Sequence, residues 1–285
     1  MNHQRIQQSA RALRLSGLLQ TLDVRLQEAV SHQLSHAEFL ELILQDELAV
    51  RDTRAVERRK QNARFRDLRS LEDFDFSFNE SIQRSQIYEL ATCRFIADAN
   101  DVLFIGPPGV GKSHLAQALG LQAVRQGHTV LYASVFDLVR DLLEEEEVPG
   151  LRSRLAKYLK CDLLIIDDMG IKQLPARSGE YLFEIIMRRY EKRSTVMTSN
   201  RPLEEWGKLI GDVPAATAIL DRFLHHAQII RITGNSYRLK DRPTTTTKSK
   251  PSKPAISTAG NCFTVKNPRT PTEYPLELMH PSGWF

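Results

Sequence analysis

The run Gly106-Pro107-Pro108-Gly109-Val110-Gly111-Lys112-Ser113 constrains this chain more than any other. It fits G-x-x-x-x-G-K-[ST], follows the apolar segment Asp101 to Ile105 and precedes the helical run His114 to Ala123. Glycines at those places let backbone N–H groups turn inward around phosphate oxygens, and the helix that follows aims its positive end at the same anion. Lys112 then opposes β/γ-phosphate charge, and the Ser113 hydroxyl is placed to ligate Mg²⁺. The expected nucleotide-contacting set is therefore Gly106, Pro107, Pro108, Gly109, Val110, Gly111, Lys112, Ser113 and His114.

From about residue 98, short apolar runs alternate with helical stretches. Asp101 to Ile105, Thr129 to Ala133, Leu163 to Ile166 and Thr195 to Thr198 are the strand candidates, with room between them for crossover helices. This alternation predicts an α/β fold whose parallel sheet is covered by helices on both faces. The third candidate runs into Asp167 and Asp168, an acid pair suited to holding Mg²⁺ (Asp167) and polarising an attacking water (Asp168). The fourth ends at Asn200, which is expected between the Asp167/Asp168 strand and the phosphate-loop strand, oriented toward the γ-phosphate. A turn-forming Asn before Arg201-Pro202 is the simpler alternative.

The front of the chain reads as helical. Leu15, Leu18, Leu19, Leu22 and Leu26 form one apolar stripe, and Ser35 with Glu38 has the spacing of a capping box. Phe39, Leu40, Ile43 and Leu44 are expected on the apolar side of that second helix. From Arg51 to Arg69 eight basic residues stand against three acidic ones, a pattern that fits a solvated helix face as well as a binding surface. The net charge of +4 is unevenly spread: residues 1–70 and 243–285 each carry +3, and residues 71–242 carry −2. The last segment holds 7 of the 13 prolines and little periodic apolar surface, so it is expected to be disordered. The domains expected are 1–70 (helical), 71–242 (nucleotide-binding core) and 243–285 (tail).

Three cysteines without a CxxC argue for a reducing compartment and against a structural metal cluster, and no apolar run is long enough for a membrane span. A cytoplasmic protein is expected.

GPPGVGKSHLA (106–116), LLIIDDMG (163–170), EYLFEIIMRRYEKRSTVMTSNRP (180–202), GDVPAATAILDRFLHHA (211–227) and ITGNSYRLK (232–240) together resemble the AAA+ ATPases. Within them the likeness is to the IstB-like helpers of insertion-sequence transposases, relatives of DnaC-type helicase loaders, over about residues 5–240. The resemblance makes Gly106 to Ser113 the Walker A loop, Asp167 and Asp168 Walker B, and Asn200 sensor I. Arg222 matches the position of an arginine finger, and Arg238 stands where a second nucleotide-sensing arginine could lie. The catalytic set is thus Lys112, Asp168, Asn200 and Arg222, with Ser113 and Asp167 on the metal.

Two departures from the wider family stand out. Asp168 replaces the commoner Glu, which suits slow, switch-like hydrolysis, and no lid domain is expected after Leu239, where the sequence passes directly into the Thr/Pro/Lys segment. The resemblance further implies ATP and Mg²⁺ as cofactors, self-assembly into a homo-oligomer on double-stranded DNA with little sequence preference, and a cognate transposase as partner. Arg58, Arg59, Lys60 and Arg64 form one candidate DNA-binding group; Arg152, Arg154, Lys157 and Lys160 form another. A helicase loader preferring single-stranded DNA is the nearest alternative. A small-molecule P-loop kinase and a non-enzymatic DNA-binding adaptor are the remote ones.

Overall fold

Three helices precede the first strand: α1 (Asn2–Ala12), α2 (Ser16–Ser31) and α3 (His36–Asn62). The computed structural model describes residues 2–146 and 151–240, all within one unit, Met1–Arg242. The tail expected to be disordered, 243–285, lies outside the described residues, as does the Arg152 side chain.

Ser35 opens α3 with the reciprocal cap its spacing predicts: the Glu38 N–H donates to Ser35 Oγ at 3.3 Å and the Ser35 N–H to Glu38 Oε2 at 2.7 Å. α2 and α3 pack on each other through buried Leu22 and Ile43. They approach so closely at Gly17 that a Cβ there would stand 2.6 Å from the Asp46 carbonyl oxygen and from Glu47 Cα. Glu47, buried on α3, accepts the N–H groups of Gly17 (2.6 Å) and Leu18 (3.2 Å), so a carboxylate from one helix caps the start of the other. Burial pushes its pKa up, but Arg51 and these two N–H groups outweigh burial and hold it below the usual range. The expected apolar side of α3 needs correction. Leu40 and Leu44 are exposed together with Leu48, because the buried stripe runs one position away through Ile43 and Glu47.

After α4 (Arg84–Leu90) and α5 (Arg94–Ala97), strands and helices alternate. In order they are β1 (Asp101–Ile105), α6 (Lys112–Arg125), β2 (Val130–Ser134), α7 (Val135–Glu146), α8 (Leu151–Lys160), β3 (Leu163–Met169), α9 (Ser178–Arg189), β4 (Ser194–Ser199), α10 (Trp206–Ile210), α11 (Val213–His225) and β5 (Ala227–Arg231). The five strands are all parallel, in the spatial order β2-β3-β4-β1-β5. The four expected strands are present with ends shifted by no more than a few residues, and β5 is additional.

Alternation along each strand splits the core between the two faces. Val102, Phe104, Leu163, Ile165 and Val196 pack with α6 residues Leu115 and Leu119. Leu103, Leu164, Ile166 and Met197 pack on the other face with Leu138, Ile185, Trp206 and Phe223. Beyond α3, the Ala63 carbonyl accepts the Tyr132 N–H at 2.8 Å, which ties the front helices to the outer side of edge strand β2. Among the described residues no helix is long and apolar enough to cross a membrane.

Candidate nucleotide-binding site

The phosphate loop leaves the carboxyl end of β1 and returns to begin α6 at Lys112. Gly109 and Gly111 have φ of +83° and +103°, the left-handed region in which a side chain is strained. The loop is also crowded from outside: a Cβ on Gly109 would meet Ser236 Oγ, and one on Gly111 would lie 2.7 Å from the Phe74 ring. Lys112 is buried, and its ammonium donates to the carbonyls of Gly106 (2.8 Å) and Pro107 (2.7 Å). Burial lowers its pKa to about 8 in spite of Asp167 and Asp168 nearby.

Asp167, at the end of β3, is the most heavily hydrogen-bonded carboxylate here. Its Oδ1 accepts the hydroxyls of Ser113 (2.9 Å) and Thr198, and its Oδ2 accepts that of Tyr132 at 2.6 Å. Asp168 follows with φ +68°, at a point where the β3–β4 register slips between Ile166 and Met169. A bulge of this kind turns one side chain out of the strand's alternation. Its N–H is held by Thr198 Oγ1 at 3.1 Å, and its Oδ2 lies 3.4 Å from Arg66 Nη1. Burial first, and then Asp167, push the Asp168 pKa up, while Arg66 and Lys112 pull it down.

The sheet order puts β4 between β3 and β1, so Asn200 emerges between the acid pair and the phosphate loop, its N–H bonded to the Met169 carbonyl at 2.9 Å. His114 turns away from the loop: its Nε2 pairs with the Ser70 carbonyl at 2.9 Å and its ring meets Phe74 edge-on. Residues 233–240 fold against the loop from above. The Tyr237 N–H donates to the Gly109 carbonyl at 2.9 Å, Phe78 stacks edge-on against Tyr237, and Lys240 pairs with Asp75. Arg238 is near enough to Lys112 and Asp168 to shift both.

Arg222 lies elsewhere. It is near the end of α11, which feeds the amino end of β5, whereas the loop leaves the carboxyl end of the neighbouring parallel strand β1. Its guanidinium is 5.6 Å from the Tyr190 ring centre and 3.9 Å from Asp221. Of the two basic groups, Lys60 pairs with Glu57, Arg154 with Glu144 and Lys157 with Asp141, while Arg58, Arg64 and Lys160 are exposed and Arg59 is half-buried. Sequence reasoning missed Thr198, Tyr132 and Arg66, which reach the acid pair from β4, β2 and the segment after α3.

A parallel sheet in this order, with a glycine loop beside an acid pair and a strand-end Asn, defines an AAA+ P-loop nucleotide-binding protein. The family described as IstB-like ATP binding protein matches residues 8–245, and the chain belongs to that family. It is 38% identical over 230 residues to a protein of insertion sequence IS21 in Pseudomonas aeruginosa that is named for ATP binding, covering 81% of this chain and 87% of that one. It is 35% identical over 239 residues to the corresponding protein of insertion sequence IS5376 in Geobacillus stearothermophilus, covering 84% and 95%. Among solved structures it is similar to DnaI, with 23% identity, a TM-score of 0.51 and coverage of 61% of this chain and 94% of that one, a likeness of fold.

Proposed function

We propose that this chain is a cytoplasmic ATP-hydrolysing switch that assembles with copies of itself on duplex DNA and presents that DNA to a cognate transposase. The observation that carries the reading is the separation of Arg222 from its own phosphate loop across the length of the sheet. A strand of five residues spans about 17 Å. An arginine on that side serves a nucleotide only when the nucleotide belongs to a second copy.

In this reading the chain's own groups divide the work. The inward-turned N–H groups of the loop hold the phosphates, and Lys112 exchanges its two carbonyl partners for phosphate oxygens. Ser113 and Asp167 are a hard-oxygen pair that fits Mg²⁺, with Thr198 and Tyr132 fixing the carboxylate from behind. Bound Mg²⁺ would neutralise charge on the phosphate oxygens. Asp168 polarises the attacking water, Asn200 orients it, and Arg222 of a neighbouring copy stabilises the leaving charge. Contacts to DNA run through phosphates and weaken steeply with salt. The relatives' association with insertion sequences supports the transposase as client.

The test is to size the complex on duplex DNA of varied length, with and without ATP. Wild type is expected to form ATP-dependent assemblies that grow with DNA length, and Lys112→Ala to form none. Assembly of Lys112→Ala in the same ATP-dependent manner overturns the switch, and a strong preference for single-stranded DNA would favour a helicase loader instead.

A further inference from the structure

We propose that the cavity between the segment after α3, the edge of β2, α7 and α8 is a phosphodiester-binding site, and that a DNA backbone phosphate seated there draws Arg66 away from Asp168. The proposal rests on the DNA-dependent switch read above and adds where DNA is sensed. The cavity has a volume of about 600 Å³ and is lined by Arg64, Arg66, Arg140 and Lys157 together with Tyr132 and Asp168. Arg64 and Lys157 come from the two basic groups that lie far apart in the chain, and folding brings them to one wall.

The charge count favours an anion. The three acids of the lining are already engaged: Asp137 by Arg140 at 2.5 Å, Asp141 by Lys157, and Asp168 by Arg66 at 3.4 Å. Arg64 is left over, since among the described residues it makes no ion pair. It is held at the wall by its own left-handed backbone (φ +57°) and by the bond from the Tyr132 N–H to the preceding carbonyl, that of Ala63.

Arg66 is the contact that yields most easily. It is 68% exposed and reaches Asp168 through one long contact, the kind of surface pair that contributes little. A phosphate offers its planar guanidinium two oxygens at once. While Arg66 sits on Asp168 Oδ2, the cation competes for the oxygen that would polarise the attacking water. Moving Arg66 onto a backbone phosphate frees the carboxylate that polarises the nucleophile, so occupancy by DNA and readiness to hydrolyse become linked. Arg66 is thus a positioning residue for Asp168 and a ligand for DNA.

The experiment is a double-mutant cycle on duplex-DNA affinity with the full chain, measured by fluorescence anisotropy in a non-hydrolysable ATP analogue. Asp168→Asn releases Arg66 and is expected to bind DNA up to about fivefold tighter than wild type. Arg66→Ala is expected to bind more weakly, and Asp168→Asn added to it to gain nothing. With ATP, Arg66→Ala without DNA should hydrolyse several-fold faster than wild type without DNA and respond less to DNA, and Arg66→Lys should restore part of the response. Equal DNA affinity for wild type and Asp168→Asn, or an unchanged DNA-free rate in Arg66→Ala, overturns the exchange while leaving the switch standing. Wild type that binds no duplex DNA overturns both. If inorganic phosphate at matched ionic strength stimulates as DNA does, the ligand is free phosphate and the nucleic-acid assignment falls.

Discussion

Ser113 Oγ donates to Asp167 Oδ1 across 2.9 Å, joining the last residue of the phosphate loop to the carboxyl end of β3. Both oxygens are hard donors on one side of the loop, and neither alone is a sufficient cation site. Asp167→Asn removes the charge and leaves one amide oxygen, which can stand in for Oδ1 toward Ser113 and Thr198 or for Oδ2 toward Tyr132 but not for both. ATP affinity is expected to rise about tenfold or more on adding Mg²⁺ to wild type and to change less than about twofold in Asp167→Asn. Titration with and without chelator measures both, and an unaltered Mg²⁺ effect in the variant would remove Asp167 from the metal.

ATP binding should take up a proton at alkaline pH. The Lys112 pKa is lowered to about 8 by burial, so above that pH the nucleotide-free amine is mostly neutral. Triphosphate restores the proton by adding negative charge beside it, which makes binding favour the protonated form. Affinity should be nearly flat below pH 7 and fall by up to about tenfold per pH unit above 8. Calorimetry at pH 9 in two buffers of different ionisation enthalpy should report an uptake approaching one proton. No uptake would mean that Lys112 stays charged in the empty site.

Arg222 and Asp168 should complement each other between copies. Arg222→Ala keeps its own phosphate loop and acid pair, and Asp168→Asn still binds ATP and keeps its own Arg222. Each alone is expected to hydrolyse ATP at a few per cent of wild type or below. An equal mixture should recover activity at the interfaces that join an intact acid pair to an intact arginine, about a quarter of them with random mixing. A mixture no more active than its components would show that Arg222 does not act on a neighbour.

Glu47→Ala should loosen the front helices. It leaves the Gly17 and Leu18 N–H groups unpaired at the start of α2 and takes away the partner of Arg51. The expected loss is about 2 kcal/mol in denaturant unfolding, with Glu47→Gln less affected because both N–H groups share Oε2, which its amide oxygen can replace. A loss under about 0.5 kcal/mol would mean that water caps α2 equally well.

The phosphate loop, the acid pair and four of five strands were legible in the sequence because each is a local pattern of a few consecutive residues. β5 was not: Ala227–Arg231 is an edge strand with only Ile230 well buried, so it lacks the continuous apolar run that marked the others. Thr198, Tyr132 and Arg66 were missed for a different reason. Each reaches the acid pair from a separate element, and only the sheet order brings them together. Leu40 and Leu44 failed in the opposite sense, since helical spacing alone does not tell which of two adjacent stripes its neighbour covers.

The bond from the Tyr132 N–H to the Ala63 carbonyl occupies part of the sheet's open margin. β2 is the outermost strand on that side, and a bare margin invites an extended peptide from another molecule to pair with it. The chain leaving α3 already stands there as a partial substitute strand. Cutting the front helices away would uncover that margin, so a truncated core should be prone to aggregate even where its nucleotide loop is intact.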